Sequence, residues 1–170
     1  MSGNSFMRAA LLSCALLTLA GPAPAAGADA TAGQTGSAPD ARDAGHLKKY
    51  EGGDPWKLFK EPEVKRNLRA ILGRRLNSFF EHLQEADQPE LAGDVLVVSG
   101  GVRQLFTIME GVFAVDLASG KYYAGMLDDD KLDFYGPARS LEELPPPVQS
   151  WVDDLRRRKG GEVSLRFNSK

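Results

Sequence analysis

The only cysteine in this chain of 170 residues, Cys14, sits in an apolar N-terminal run, so everything beyond that run must fold without a disulfide. The run, Ala9 to Ala20, follows one positive charge at Arg8 and no acid. At a dozen residues it is too short to cross a bilayer core of about 30 Å as a helix. Gly21 and Pro22 close it, and Ala23-Pro24-Ala25 and Ala26-Gly27-Ala28 offer small-residue cleavage sites. Charge, short apolar core and small-residue exit read as a secretory signal peptide over 1–28, which places the mature chain in the periplasm or outside the cell. A lipid-attachment cysteine follows its apolar core, whereas most of this core comes after Cys14. Ordinary cleavage near residue 25 or 28 is therefore the expectation, with no lipoprotein anchor.

Cleavage there leaves 20 Lys and Arg against 23 Asp and Glu. A net charge near −3 argues against nucleic acid or an acidic membrane surface as the main partner, and no later stretch is apolar enough to span a membrane. Residues 29–45 are mostly Ala, Gly, Thr, Ser and Asp, with no large apolar side chain to bury, and read as a flexible linker. One domain is expected over 46–170.

The first half of that domain carries helical spacing. Asp54-Pro55-Trp56 offers an N-cap followed by proline at the first helical position, and Glu61-Pro62-Glu63 offers a second start. Val64, Leu68, Ile71 and Leu72 then form one apolar stripe that Gly73 is placed to stop. Leu76, Phe79, Phe80 and Leu83 repeat the spacing. The second half alternates short β-rich runs with turns: Leu91 to Ser99, Val112 to Leu117, Lys121 to Leu127 and Lys131 to Tyr135. Ala118-Ser119-Gly120 and Asp128-Asp129-Asp130 supply hairpin connections. Pro145-Pro146-Pro147 launches a last helix with Val148, Trp151, Val152 and Leu155 on one face, and Glu162 to Phe167 adds an edge strand. The pattern predicts an α+β fold, an antiparallel β-meander packed against N-terminal helices and one C-terminal helix.

Catalytic and metal chemistry find little footing. The two histidines are His46, at the end of the linker, and His82, whose neighbours Glu81 and Glu85 suggest a salt-bridged or solvated surface residue. With no mature cysteine, zinc, copper and thiol chemistry lack ligands or nucleophile, and Ser99-Gly100 lacks the surroundings of a nucleophile elbow. Asp128-Asp129-Asp130 lacks the spaced ligands of a calcium loop and reads as a polar turn. Arg156-Arg157-Arg158-Lys159 ends a helix, where the dipole favours cations. No enzyme, cofactor or metal is expected. One alternative is a small-ligand binder whose pocket Trp56, Phe79, Phe80, Tyr122, Tyr123 and Trp151 would line.

Gly100-Gly101-Val102-Arg103-Gln104-Leu105-Phe106-Thr107-Ile108-Met109 stands apart from these patterns. It links two strands through paired glycines, an arginine and an apolar group. Val102 to Met109 also fits a strand with Val102, Gln104, Phe106 and Ile108 on one face, and both readings stay open.

Gly93-Asp94-Val95-Leu96-Val97-Val98-Ser99-Gly100, the following loop, Val112-Phe113-Ala114-Val115-Asp116 and Gly120 to Met126 together resemble the Ivy-type family of periplasmic lysozyme inhibitors. The resemblance runs over about residues 55 to 136. In that family two cysteines close the loop around a Pro-His pair, and the loop enters the active-site cleft of lysozyme. Alignment puts the cysteine positions at Gly101 and Phe106 and the Pro-His pair at Arg103 and Gln104. None of the four signature residues is present, so a loop without its ring is expected to be floppy or absorbed into a hairpin. The resemblance implies a non-enzymatic protein that binds a lysozyme or another peptidoglycan-cleaving enzyme, a toxin among them, through Gly100, Gly101, Val102, Arg103, Gln104, Leu105 and Phe106.

Overall fold

The computed structural model describes residues 44–169. The expected signal peptide over 1–28, with Cys14, and residues 29–43 of the expected linker lie outside the described residues. Ala44 is fully buried and donates its N–H to the Leu117 carbonyl at 3.0 Å, so Ala44 and Gly45 belong to the packed domain rather than to a linker.

A 3₁₀ turn over Gly45–Tyr50 leads into α1 (Pro55–Lys60). Asp54 caps α1 by accepting from the Trp56 N–H at 2.9 Å. Helix α2 (Pro62–Leu72) buries Val64, Leu68 and Leu72 and stops at Gly73, whose φ of 54° an L side chain adopts only under strain. A second 3₁₀ turn and α3 (Leu76–Glu81) put Phe79 and Leu83 into the same core.

Seven strands follow. They are β1 (Glu85–Ala86), β2 (Glu90–Ala92), β3 (Val95–Gly101), β4 (Met109–Asp116), β5 (Lys121–Asp128), β6 (Lys131–Tyr135) and β7 (Ser164–Asn168). They order as β1-β3-β4-β5-β6-β7, with β2 also paired to β3, and every pairing but β6–β7 is antiparallel. The expected single strand over 91–99 is two strands, because the chain reverses at Gly93, φ 63°, and pairs Glu90 with Val97. Helix α4 (Pro146–Lys159) connects β6 to the parallel edge strand β7.

Alternation along the strands makes two cores on one sheet. Leu96, Val98, Phe113, Val115 and Met126 face α1–α3, while Val112, Ala114, Leu127 and Phe134 face Val148, Val152 and Leu155 of α4. The α+β expectation is met, with helices on both faces of the sheet.

The β4–β5 hairpin carries an acid-sensitive support. Burial pushes the Asp116 carboxyl up, but N–H bonds from Ser119 and Ala118, each 3.0 Å long, outweigh it and hold the group below the usual carboxylate range. A carboxyl depressed in the native state stabilises the fold above its unfolded value and loses that contribution as pH falls. Asp116→Ala is therefore expected to cost about 1 kcal/mol at pH 7 in urea unfolding. That cost should shrink as pH drops below about 4, the unfolded aspartate value.

Candidate functional site

Strands β3 and β4 run side by side to the pair Gly101 and Glu110, and residues 102–108 close them. This segment is a series of turns, not a strand. Gln104 and Thr107 hold φ of 66° and 69°, values that break an extended run. Nor is it loose. Val102 N–H donates to the Met109 carbonyl, Leu105 N–H to Val102, and both Ile108 and Met109 N–H groups to Leu105.

The expected site residues fall on this protrusion in two groups. Gly100 and Gly101 are buried at the end of β3, and Val102 is half-buried. Arg103, Gln104, Leu105 and Phe106 are exposed, and Ile108, outside the expected set, joins them. A Cβ on Gly101 would lie 2.7 Å from the Phe106 ring, so the ring occupies the space that only glycine leaves free. Gly101 and Phe106, the two positions that the sequence resemblance sets against cysteines, thus meet through an aromatic ring on a glycine. Arg103 Nε donates to Glu85 Oε1 at 2.5 Å, across to β1.

Beneath the tip lies a charged anchor. Glu110, only 2% exposed on β4, accepts the Thr107 N–H at 2.6 Å. It also receives a two-toothed fork from Arg158, with Nη1 to Oε1 at 2.6 Å and Nη2 to Oε2 at 2.8 Å. Hydrogen bonding to Glu110 raises the Arg158 guanidinium far above its ordinary range, against partial desolvation and with help from Asp154. Lys159 Nζ donates to the Thr107 carbonyl at 2.8 Å and pairs with Asp130 at 3.0 Å. Phe106, Glu110, Arg158 and Trp151 border a groove of about 240 Å³ behind the loop.

Two sequence expectations change here. The basic run at the end of α4 does more than face the helix dipole, since Arg158 and Lys159 hold the loop. His82 is not a surface residue: it is 2% exposed, with Nδ1 2.7 Å from the Ser78 carbonyl and Nε2 2.9 Å from Asp128 Oδ1. The chain turns inward after α3, and Gly111 leaves room for it. The Asp128–Asp130 turn forms as expected, with Arg75 on Asp128 and Lys159 on Asp130. Among the described residues no group of three or more His, Cys, Asp or Glu side chains is arranged to hold a metal ion. No described helix is long and apolar enough to cross a membrane.

The six aromatics assigned to a ligand pocket do not gather around one. Trp56, Phe79 and Phe80 pack edge-on or tilted with Phe59, and Phe59 packs on Phe113, which touches Tyr122. Tyr122 alone of the six borders a cleft of about 280 Å³ with Asn67, Ile71 and Pro137, and its hydroxyl donates to Glu63 Oε1 at 3.0 Å.

The fold is thus a packed α+β domain whose β3–β4 loop, braced from α4, carries an exposed apolar tip. Residues 63–158, more than half of the chain, match the family described as inhibitor of vertebrate lysozyme (Ivy), and the protein belongs to that family. The matched span ends at Arg158 and so contains the loop, Glu110 and the fork that joins them. No curated protein and no solved structure matches the chain.

Proposed function

We propose that this protein is an exported, non-catalytic inhibitor that enters the cleft of a lysozyme or related wall-cleaving enzyme, a toxin among them, with its β3–β4 loop. The loop tip carries the reading. Leu105, Phe106 and Ile108 are 37%, 46% and 44% exposed, on a backbone tied by its own turns. Apolar side chains presented on an ordered protrusion gain most from burial in a complementary cleft. Family membership supports lysozyme as the partner class. Arg8, the apolar run and the small residues to Ala28 support export, with residues 29–43, the part of the expected 29–45 linker that precedes Ala44, serving as a tether.

Arg103 supplies the polar part of the contact. Its side chain is 80% exposed and its Glu85 partner 37% exposed. Such open ion pairs contribute little, so Arg103 exchanges Glu85 for carboxylates in a hydrolase cleft at small cost, and its fork suits them. Arg103→Ala is expected to weaken binding to a vertebrate lysozyme about tenfold, the equivalent of roughly 1.4 kcal/mol, measured by calorimetry. If Arg103→Ala combined with Gln104→Ala leaves binding to every lysozyme and wall hydrolase unchanged, the loop is not the contact.

A further inference from the structure

Thr107 is a β-branched residue at φ 69°, a conformation such side chains adopt only where their surroundings enforce it. Both of its backbone polar groups are held from outside the loop. Glu110 takes the N–H and Lys159 takes the carbonyl. Glu110 is itself held by the Arg158 fork, and Asp154, one helical turn back on α4, steadies Arg158 at 2.7 Å. The next residue, Ile108, is tied through its carbonyl to the Asp129 N–H at 2.8 Å, in the same turn that Lys159 grips through the Asp129 carbonyl and Asp130. Glu110 is only three residues from Thr107, whereas Arg158, Lys159 and Asp129 tie the loop and its anchor to elements distant in sequence.

We infer that Arg158 and Lys159 are positioning residues: with Glu110 they clamp Thr107, and so hold the apolar tip in its binding shape before any partner arrives. The clamp is ionic and the mature chain has no cysteine, so loop order does not depend on redox state. The inference rests on the loop being the contact with lysozyme, but the clamp itself is measurable without a partner. Residues that preset a loop act on the fraction of molecules competent to bind, so losing them slows association. A residue that merely touched the partner would instead speed dissociation.

The test compares the full-length parent protein with Arg158→Ala and Arg158→Lys, by amide hydrogen exchange and by binding kinetics to a vertebrate lysozyme. In Arg158→Ala, exchange at residues 105–109 is expected to rise at least about tenfold while Ala114 and Tyr123 in the sheet stay protected, as expected of a local opening. The association rate should fall by about the same factor, with dissociation little changed. Arg158→Lys keeps the charge but loses the fork, so it should fall between, and it gives the reading if the alanine protein unfolds. Unchanged exchange at 105–109 in both variants overturns the clamp. Raised exchange with an unaltered association rate overturns the positioning role. Raised exchange in a protein whose parent binds no lysozyme supports the clamp and removes the proposed function instead.

Discussion

Leu105→Ser together with Phe106→Ser is expected to weaken binding to a vertebrate lysozyme by at least about a hundredfold. Two exposed apolar side chains at the centre of an interface each contribute roughly 1.5–3 kcal/mol when fully buried, and centrally placed anchors dominate binding energy. Neither residue belongs to the two cores, so global unfolding by urea should shift little. The Phe106 change also strips the ring from Gly101, which adds loop disorder to lost contact area. Calorimetric titration of the double variant and the parent checks this. An affinity within threefold of the parent would place the interface elsewhere on the molecule.

Phe113→Ala carries the largest expected effect on the fold itself. Phe113 is fully buried, packs on Phe59 at 5.4 Å and on Tyr122 at 6.2 Å between ring centres, and pairs across the sheet with Val98. Removing a buried ring leaves a cavity that a packed neighbourhood closes only in part, at a cost of about 3–5 kcal/mol. Urea unfolding monitored by far-UV circular dichroism measures it. A cost below about 1 kcal/mol would mean the aromatic cluster is a yielding space rather than a core, and would restore a small-ligand role.

Local patterns carried much of the fold. The stripe of Val64, Leu68 and Leu72, the stop at Gly73 and the proline launch of α4 are each set by residues close in sequence. The break at Gly93 was less legible, because Leu91 to Ser99 has the apolar β content of one strand and only a positive φ at its glycine divides it. Strand β1, two residues long, exists through its pairing to Gly100 and Gly101 and leaves no periodic trace.

The loop was legible in place but not in construction. Residues 102–108 link two strands, with Ile108 joining Leu105 and Phe106 as exposed apolar residues, whereas the absence of cysteines suggested either looseness or absorption into a hairpin. The ring of Phe106 on Gly101 and the grip of Arg158 on Glu110 need the tertiary fold, since 48 residues separate the ion pair. One signal was available. Glu110 directly precedes the apolar run Gly111 to Val115, and a carboxylate at a buried position requires a cationic or hydrogen-bonding partner. The basic run at the end of α4 was the candidate, and the helix dipole offered it a simpler explanation.

The most direct test of the central claim is the rate at which a vertebrate lysozyme clears a suspension of bacterial cell walls as the purified protein is added. The expected result is a dose-dependent fall in lysis that saturates and that Leu105→Ser, Phe106→Ser protein fails to reproduce. Undiminished lysis at a large molar excess of the parent protein would contradict the claim that this loop closes a lysozyme cleft.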